Sequence, residues 1–206
     1  MIAAPNLSTV ADEAPSLALW LVRRRFSIDD YYRMAESGVI APDERTELLD
    51  GQVVCQMPIN ARHAGCVKRL NQILSRRVAD RAIVGVQDPV RLGPFSEPQP
   101  DIALLRPRED SYDRSHPRPE DVLLLIEVAD SSLDLDRRVK MPLYAAAGIA
   151  EVWLMDLAND AVEVYRDPDA RGFRQLRRLG RGSSLNALLL PDLQVDIDEV
   201  LGAAQD

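Results

Sequence analysis

The chain has 206 residues, 46% of them apolar and 28% charged, with a net charge of −8. That length and mix fit one soluble globular domain with a sizeable core, and no apolar stretch reaches the length of a membrane span. The negative balance argues against a general nucleic-acid binder, which presents a basic face to phosphates, so any contact with DNA must rest on a local patch or on a metal that offsets clustered acids.

Residues 1–15 are small, polar and proline-containing and read as a loose N-terminus, with a single domain over residues 16–206. The short apolar run Leu17–Val22 has its arginines after it, not before, so it does not read as an export signal. Cys55 and Cys66 give no disulfide framework, and a reducing cytoplasm is the expected location. Ser27-Ile28-Asp29-Asp30 predicts a helix N-terminus, and Gly38 stops that helix. Thr46–Leu49, Asp50-Gly51 and Gln52–Cys55 predict a tight hairpin. Ala64, Val67, Leu70, Leu74 and Val78 recur at helical spacing and predict an amphipathic helix over 61–79.

Strands are predicted at 82–86 and 89–92, and a proline-rich loop then leads into Asp101 and the apolar run Ile102–Leu105. Residues 106–120 read as a surface excursion. Val122–Glu127 is the strongest central strand, followed by a helix from about Leu135 to Ala147 that Gly148 ends. Strands at 151–156 and 162–166, a turn at Asp167-Pro168-Asp169, an edge strand at 173–179 and a short helix near 196–201 complete the chain. The order predicts an α/β fold, a mixed sheet flanked by helices.

Chemistry concentrates in a few positions. Asp101 opens one apolar run and Glu127 closes another. Two acids and a lysine gathered at strand ends are the parts needed to hold a divalent metal and activate a water. Asp101 taken alone reads as an ordinary acid at a strand entrance. Glu127 continues a five-residue apolar run, and a carboxylate at the rim of a core needs a partner or a metal. Glu47 shares a strand face with Leu49, which draws it inward, but an exposed cross-strand acid fits the same spacing. Of the 25 basic residues only Lys68 and Lys140 are lysine, leaving 23 arginines. A lysine kept against that bias suits a site needing a compact ammonium, which arginine cannot supply. Chance explains Lys68 and is an even alternative for Lys140 taken alone.

Asp134 and Asp136 read as helix-dipole acids, with an Asp136–Lys140 pair one turn apart as the alternative. His63 reads as a capping or solvent-facing residue and His116 as loop. Cys55, His63 and Cys66 lack zinc spacing and a fourth ligand. Arg137 and Arg138 are the best candidates for DNA phosphate contacts, because they neighbour Lys140. Neither a phosphate-binding glycine loop nor a G-x-S-x-G elbow is present.

Glu47-Leu48-Leu49-Asp50-Gly51, Pro100-Asp101, Glu127-Val128-Ala129-Asp130-Ser131-Ser132-Leu133, Asp136, Lys140, Tyr144 and Gly148-Ile149-Ala150-Glu151-Val152-Trp153 resemble a family of restriction-endonuclease-like proteins abundant in cyanobacteria and other bacteria. That family belongs to the PD-(D/E)XK nuclease superfamily. The resemblance runs from about Ser27 onward and is most specific over 127–156. It implies a restriction-endonuclease-like core with flanking helices and Mg²⁺-dependent DNA endonuclease activity, with Mn²⁺ as a substitute. It implies metal-binding carboxylates at Asp101 and Glu127, an additional acid at Glu47 and a catalytic lysine at Lys140. The superfamily lysine ordinarily lies two residues after the glutamate, where this chain has Ala129, so the role moves to the following helix. Duplex cleavage needs two sites, so a homodimer is expected. Two other readings stand: a catalytically silent DNA- or protein-binding module on the same fold, which the pI of about 4.9 favours, and hydrolysis of a small phosphoester.

Overall fold

The computed structural model describes residues 24–203. The expectations for residues 1–15 and for Leu17–Val22 lie outside them. No helix among the described residues is long and apolar enough to cross a membrane, and Cys55 and Cys66 are both free thiols.

Helix α1 (Ile28–Glu36) starts at Ser27, whose side chain accepts from the Asp30 N–H while the Asp30 carboxylate accepts from the Ser27 N–H. The hairpin β1 (Thr46–Leu49) and β2 (Gln52–Cys55) follows, turning at Asp50 (φ 49°) and Gly51 (φ 76°). Only glycine fits at Gly51, because a Cβ there would lie 2.6 Å from the Arg25 Cβ. Asn60 caps helix α2 (Ala61–Val78) by accepting from the His63 N–H, and the apolar stripe Cys66, Val67, Leu70, Leu74 and Val78 is buried.

The sheet has six strands in the order β3 (Ile83–Val86), β4 (Ile102–Leu105), β5 (Val122–Ala129), β6 (Glu151–Asp156), β7 (Ala161–Asp169) and β8 (Gly172–Gly180). All neighbours are antiparallel except β5 and β6. This mixed sheet agrees with the predicted α/β class. One face packs against α2 through Leu70, Leu74, Leu104, Leu124, Ile126 and Trp153. The small hairpin β9 (Ser184–Asn186) and β10 (Gln194–Asp196), with helix α5 (Ile197–Leu201), extends the same core. The other face, with Ala103, Leu125 and Val152, receives Met141 and Tyr144 from the helix that follows β5. Each large buried aliphatic side chain contributes about 1.5–3 kcal/mol.

That helix is not uniform. It comprises a short turn α3 (Leu133–Leu135), a π-helical segment Asp136–Lys140 and helix α4 (Met141–Ala146). Met141 donates to the carbonyl of Asp136, five residues back. Pro142 gives the reason: its ring lacks an N–H and crowds the carbonyl four residues earlier, so the preceding turn widens.

Three sequence expectations need correction. Residues 89–92 are irregular, not a strand; Val90 and Leu92 donate to Pro98 and Ser96 within their own loop, and the prolines at 89 and 94 remove ladder donors. Pro168 and Asp169 continue β7 and pair with Phe173 and Gly172, so the turn lies beyond Asp169, and Asp167 is an unpaired kink at φ 60°. The hairpin β9–β10 was not anticipated, since its strands of three residues are too short to show alternation.

Candidate active site

The register of the central strands assembles the site. Ile102 pairs with Ile126, so one step further along the ladder Asp101 faces Glu127. The Asp101 Oδ2 accepts from the Val128 N–H at 2.9 Å, which clasps the two strands together. Glu47 arrives from β1. It is fixed by the Gln99 N–H, which donates to its Oε2 at 3.0 Å, and by the bridge between Leu48 and Glu97. Lys140, at the end of the π-helical segment, places Nζ 3.2 Å from Glu47 Oε2 and 3.2 Å from Glu127 Oε1.

These four residues line one cleft of about 240 Å³, together with His63, Gln87, Gln99, Asp136 and Arg45. Glu47, Asp101, Glu127, Asp136 and Lys140 are all buried. Burial pushes the Glu127 carboxyl up to about 8; the charges of Asp136, Asp101 and Glu47 add to the rise, against the pull of Lys140. Burial raises Asp136 as well. Burial would lower Lys140, but Glu127, Glu47, Asp136 and Asp101 outweigh it and keep the ammonium charged. Asp101 moves the other way. Burial would raise it, yet His63, the Gln87 amide and the Val128 N–H hold it below the usual carboxylate range.

The fold brings further polar residues against the three acids. His63 is not solvent-facing: its Nε2 lies 2.9 Å from Asp101 Oδ1. Gln87, in a left-handed conformation at φ 56°, donates to the same Oδ1 at 3.0 Å. Tyr144 donates to Glu127 Oε1 at 2.5 Å. Asp136 is buried and accepts from Ser132 Oγ at 2.7 Å, and it acts on Lys140 through its charge without an ion pair inside 4.0 Å. Asp136 and Tyr144 stand among the residues that carry the family resemblance, whereas His63 and Gln87 are not among them.

The two arginines proposed for phosphate contacts are not brought to the cleft. Arg137 reaches back to Glu163 Oε1 at 2.5 Å and Asp156 Oδ2 at 3.4 Å on β7 and β6. Arg138 is exposed beside Asp134, 4.0 Å away. Neither lines the site.

Charge decides what the cleft suits. Five carboxylates, Glu47, Asp101, Glu127, Asp130 and Asp136, line the cleft with Lys140, His63 and Arg45, so acids outnumber basic groups there even with His63 protonated. The donors are hard carboxylate oxygens, the set that suits Mg²⁺ or Mn²⁺. Glu47 Oε1 and Glu127 Oε2 make no hydrogen bond to the protein, and no enclosed side-chain oxygen or nitrogen among the described residues lacks a partner, so both oxygens open on the cleft. Among the described residues no three His, Cys, Asp or Glu side chains form a ready-made cage.

Comparison with known proteins adds to this geometry. A family model described as "Putative restriction endonuclease", Uma2, matches residues 28–198. No relative among the curated proteins matches. Among solved structures, the chain is similar to one from Anabaena variabilis described as a putative nuclease belonging to DUF820. The TM-score is 0.66 at 14% identity, over 85% of this chain and 97% of that one. At that identity the likeness speaks for the fold, which is nuclease-like.

Proposed function

Because the chain belongs to the Uma2 family of restriction-endonuclease-like proteins, we propose that its cleft hydrolyses phosphodiester bonds in DNA with a divalent cation, Mg²⁺ or Mn²⁺. The observation that carries the reading is the uncompensated group of buried carboxylates opening on a cleft beside one ion-paired lysine. Asp101 and Glu127 would hold the ion, and Glu47 would bind or orient it. When bound, it polarises a phosphoryl oxygen and lowers the pKa of a water.

The chain's own groups do the rest. Lys140 presents a compact positive charge at the floor of the cleft, where it stabilises negative charge growing on the phosphoryl group. Its two carboxylate partners hold it in place. The Tyr144 hydroxyl fixes Glu127 through Oε1 and leaves Oε2 turned to the cleft. His63 and Gln87 orient Asp101 and keep it ionised. Cutting both strands of a duplex requires two such sites, which a homodimer supplies.

Calorimetry of Mn²⁺ binding to the wild type and to Glu127→Ala, paired with plasmid cleavage, tests the reading. Wild type should bind and cleave, and the variant should do neither. Equal binding by both proteins removes Glu127 from the site. The net charge of −8 favours a second reading, a silent DNA- or protein-binding module. Absence of cleavage with either cation selects it.

A further inference from the structure

The mouth of the cleft is chemically unlike its floor. The loop joining β2 to α2 forms one lip, and it holds Met57, Pro58 and Ile59. Met57 is 74% exposed and Ile59 39%. Both line the same cleft as the acids, where the fold gains nothing from exposing them. Beside them stands Arg45, exposed and held at the guanidinium by the Gln87 side-chain oxygen at 3.3 Å. Other arginines close to the site are paired with acids: Arg62 with Asp160, and Arg137 and Arg178 with Glu163 and Asp156. Arg45 has no carboxylate within 4.0 Å among the described residues. Its link to Gln87, and through Gln87 to Asp101, ties it to the acid that the nuclease reading makes a metal ligand.

A duplex reader needs many cations, since B-DNA presents a phosphate about every 1.7 Å and firm docking neutralises roughly six to ten of them. This cleft offers two permanent cations, Arg45 at the mouth and Lys140 on the floor, on a chain of net charge −8. Apolar side chains at a phosphate site contact bases whose faces are uncovered, as wedges at unstacked steps do. We propose that the site takes an unpaired stretch of DNA, with Arg45 holding a phosphate at the mouth and the Met57–Pro58–Ile59 lip covering the face of the adjoining base. This rests on the nuclease reading and names its substrate class.

Binding tests it separately from catalysis. Fluorescence anisotropy would compare a labelled single strand, the same sequence as a blunt duplex, and an abasic strand of equal length. The wild type is used without metal so that the strand survives. The single strand should bind at least about tenfold tighter than either the duplex or the abasic strand. Met57→Ser combined with Ile59→Ser should lose roughly that factor on the single strand, and Arg45→Ala should weaken the intact and abasic strands alike. Equal affinity for duplex and strand, or for abasic and intact strand, overturns the inference. So does a double variant that keeps its affinity but loses self-association by light scattering, which makes the lip a subunit contact. A preference for single strands with no cleavage sinks the nuclease reading and leaves this one standing.

Discussion

Lys140 is 5% exposed, with its ammonium 3.2 Å from two carboxylate oxygens. A guanidinium is planar, longer and more diffuse, and it would have to displace either Glu47 or Glu127 to fit. Lys140→Arg is therefore expected to lower metal-dependent cleavage by ~10²–10³, whereas Lys68→Arg, on the exposed side of α2, should change nothing. Plasmid cleavage measures the effect and thermal melting checks that both variants fold. Equal rates for wild type and Lys140→Arg would sink the assignment. At this scale the arginine bias marks Lys140 without a structure, and the apolar run before Glu127 marks that acid. His63 and Gln87 carry no such mark. They meet Asp101 across separations of 38 and 14 residues, and a histidine at the third position of a helix looks like any other until the fold closes. Arg137 shows the opposite failure: adjacency in sequence to a site residue put it near the cleft, but on a helix the next residue points elsewhere.

The π-helical segment decides where Lys140 goes, and it is anchored both inside the cleft and outside it. Ser132 ties down Asp136 at one end, the Glu47 and Glu127 carboxylates hold Lys140 at the other, and Arg137 between them is pinned to Glu163 and Asp156. Asp156 is fully buried and accepts from Asn159 and Arg178 as well, so this anchor is rigid. Arg137→Ala should loosen the wide turn and lower kcat with little change in KM, because the residue meets no substrate. Arg138→Ala, at an exposed position with only a 4.0 Å partner, should leave kcat within about twofold. Arg137→Lys should recover part of the loss, since one charged contact to Glu163 survives. Steady-state cleavage assays separate these outcomes, and a rise in KM alone for Arg137→Ala would return that residue to a DNA contact. The helix itself was legible as the segment between the Glu127 strand and Gly148, but its widened turn was not. Pro142 is the only local cue, and a proline in a helix announces a disturbance without saying whether it becomes a kink, a break or a π-turn. Residues 89–92 show the same limit, with strand-like composition among prolines that forbid a ladder.

For the whole molecule, the acid cluster is a stability cost that pH and metal should expose. Glu127 has its carboxyl pushed from 4.5 up to about 8, so the folded chain holds a proton there that the unfolded chain releases. Asp136, raised by burial, has the same sign. His63 does too, since burial would lower it but Asp101 raises it overall. A group whose folded pKa is raised stabilises below its unfolded value and loses that contribution as pH climbs through the folded value. Glu127 therefore makes the metal-free protein less stable as pH rises from about 5 to 8, and Asp136 and His63 act in the same direction. Asp101, held low, acts only in more acidic solution, where its contribution is lost as pH falls. A divalent cation reverses the slope, because it binds the deprotonated carboxylates and its affinity grows with pH. At a hundredfold excess over Kd it adds ~2.7 kcal/mol, or about 5–10 °C in Tm for a chain of this size. Thermal melts with Mn²⁺ and with chelator across that range should therefore diverge as pH rises. Glu127→Gln should melt higher than wild type at about pH 8 without metal, and Mn²⁺ should no longer raise its Tm. Coincident curves with and without Mn²⁺ would mean that the carboxylates hold no ion. A metal-free Tm that is flat across the window would mean that Glu127 is ionised in the folded chain and that the charge excess is answered in some other way.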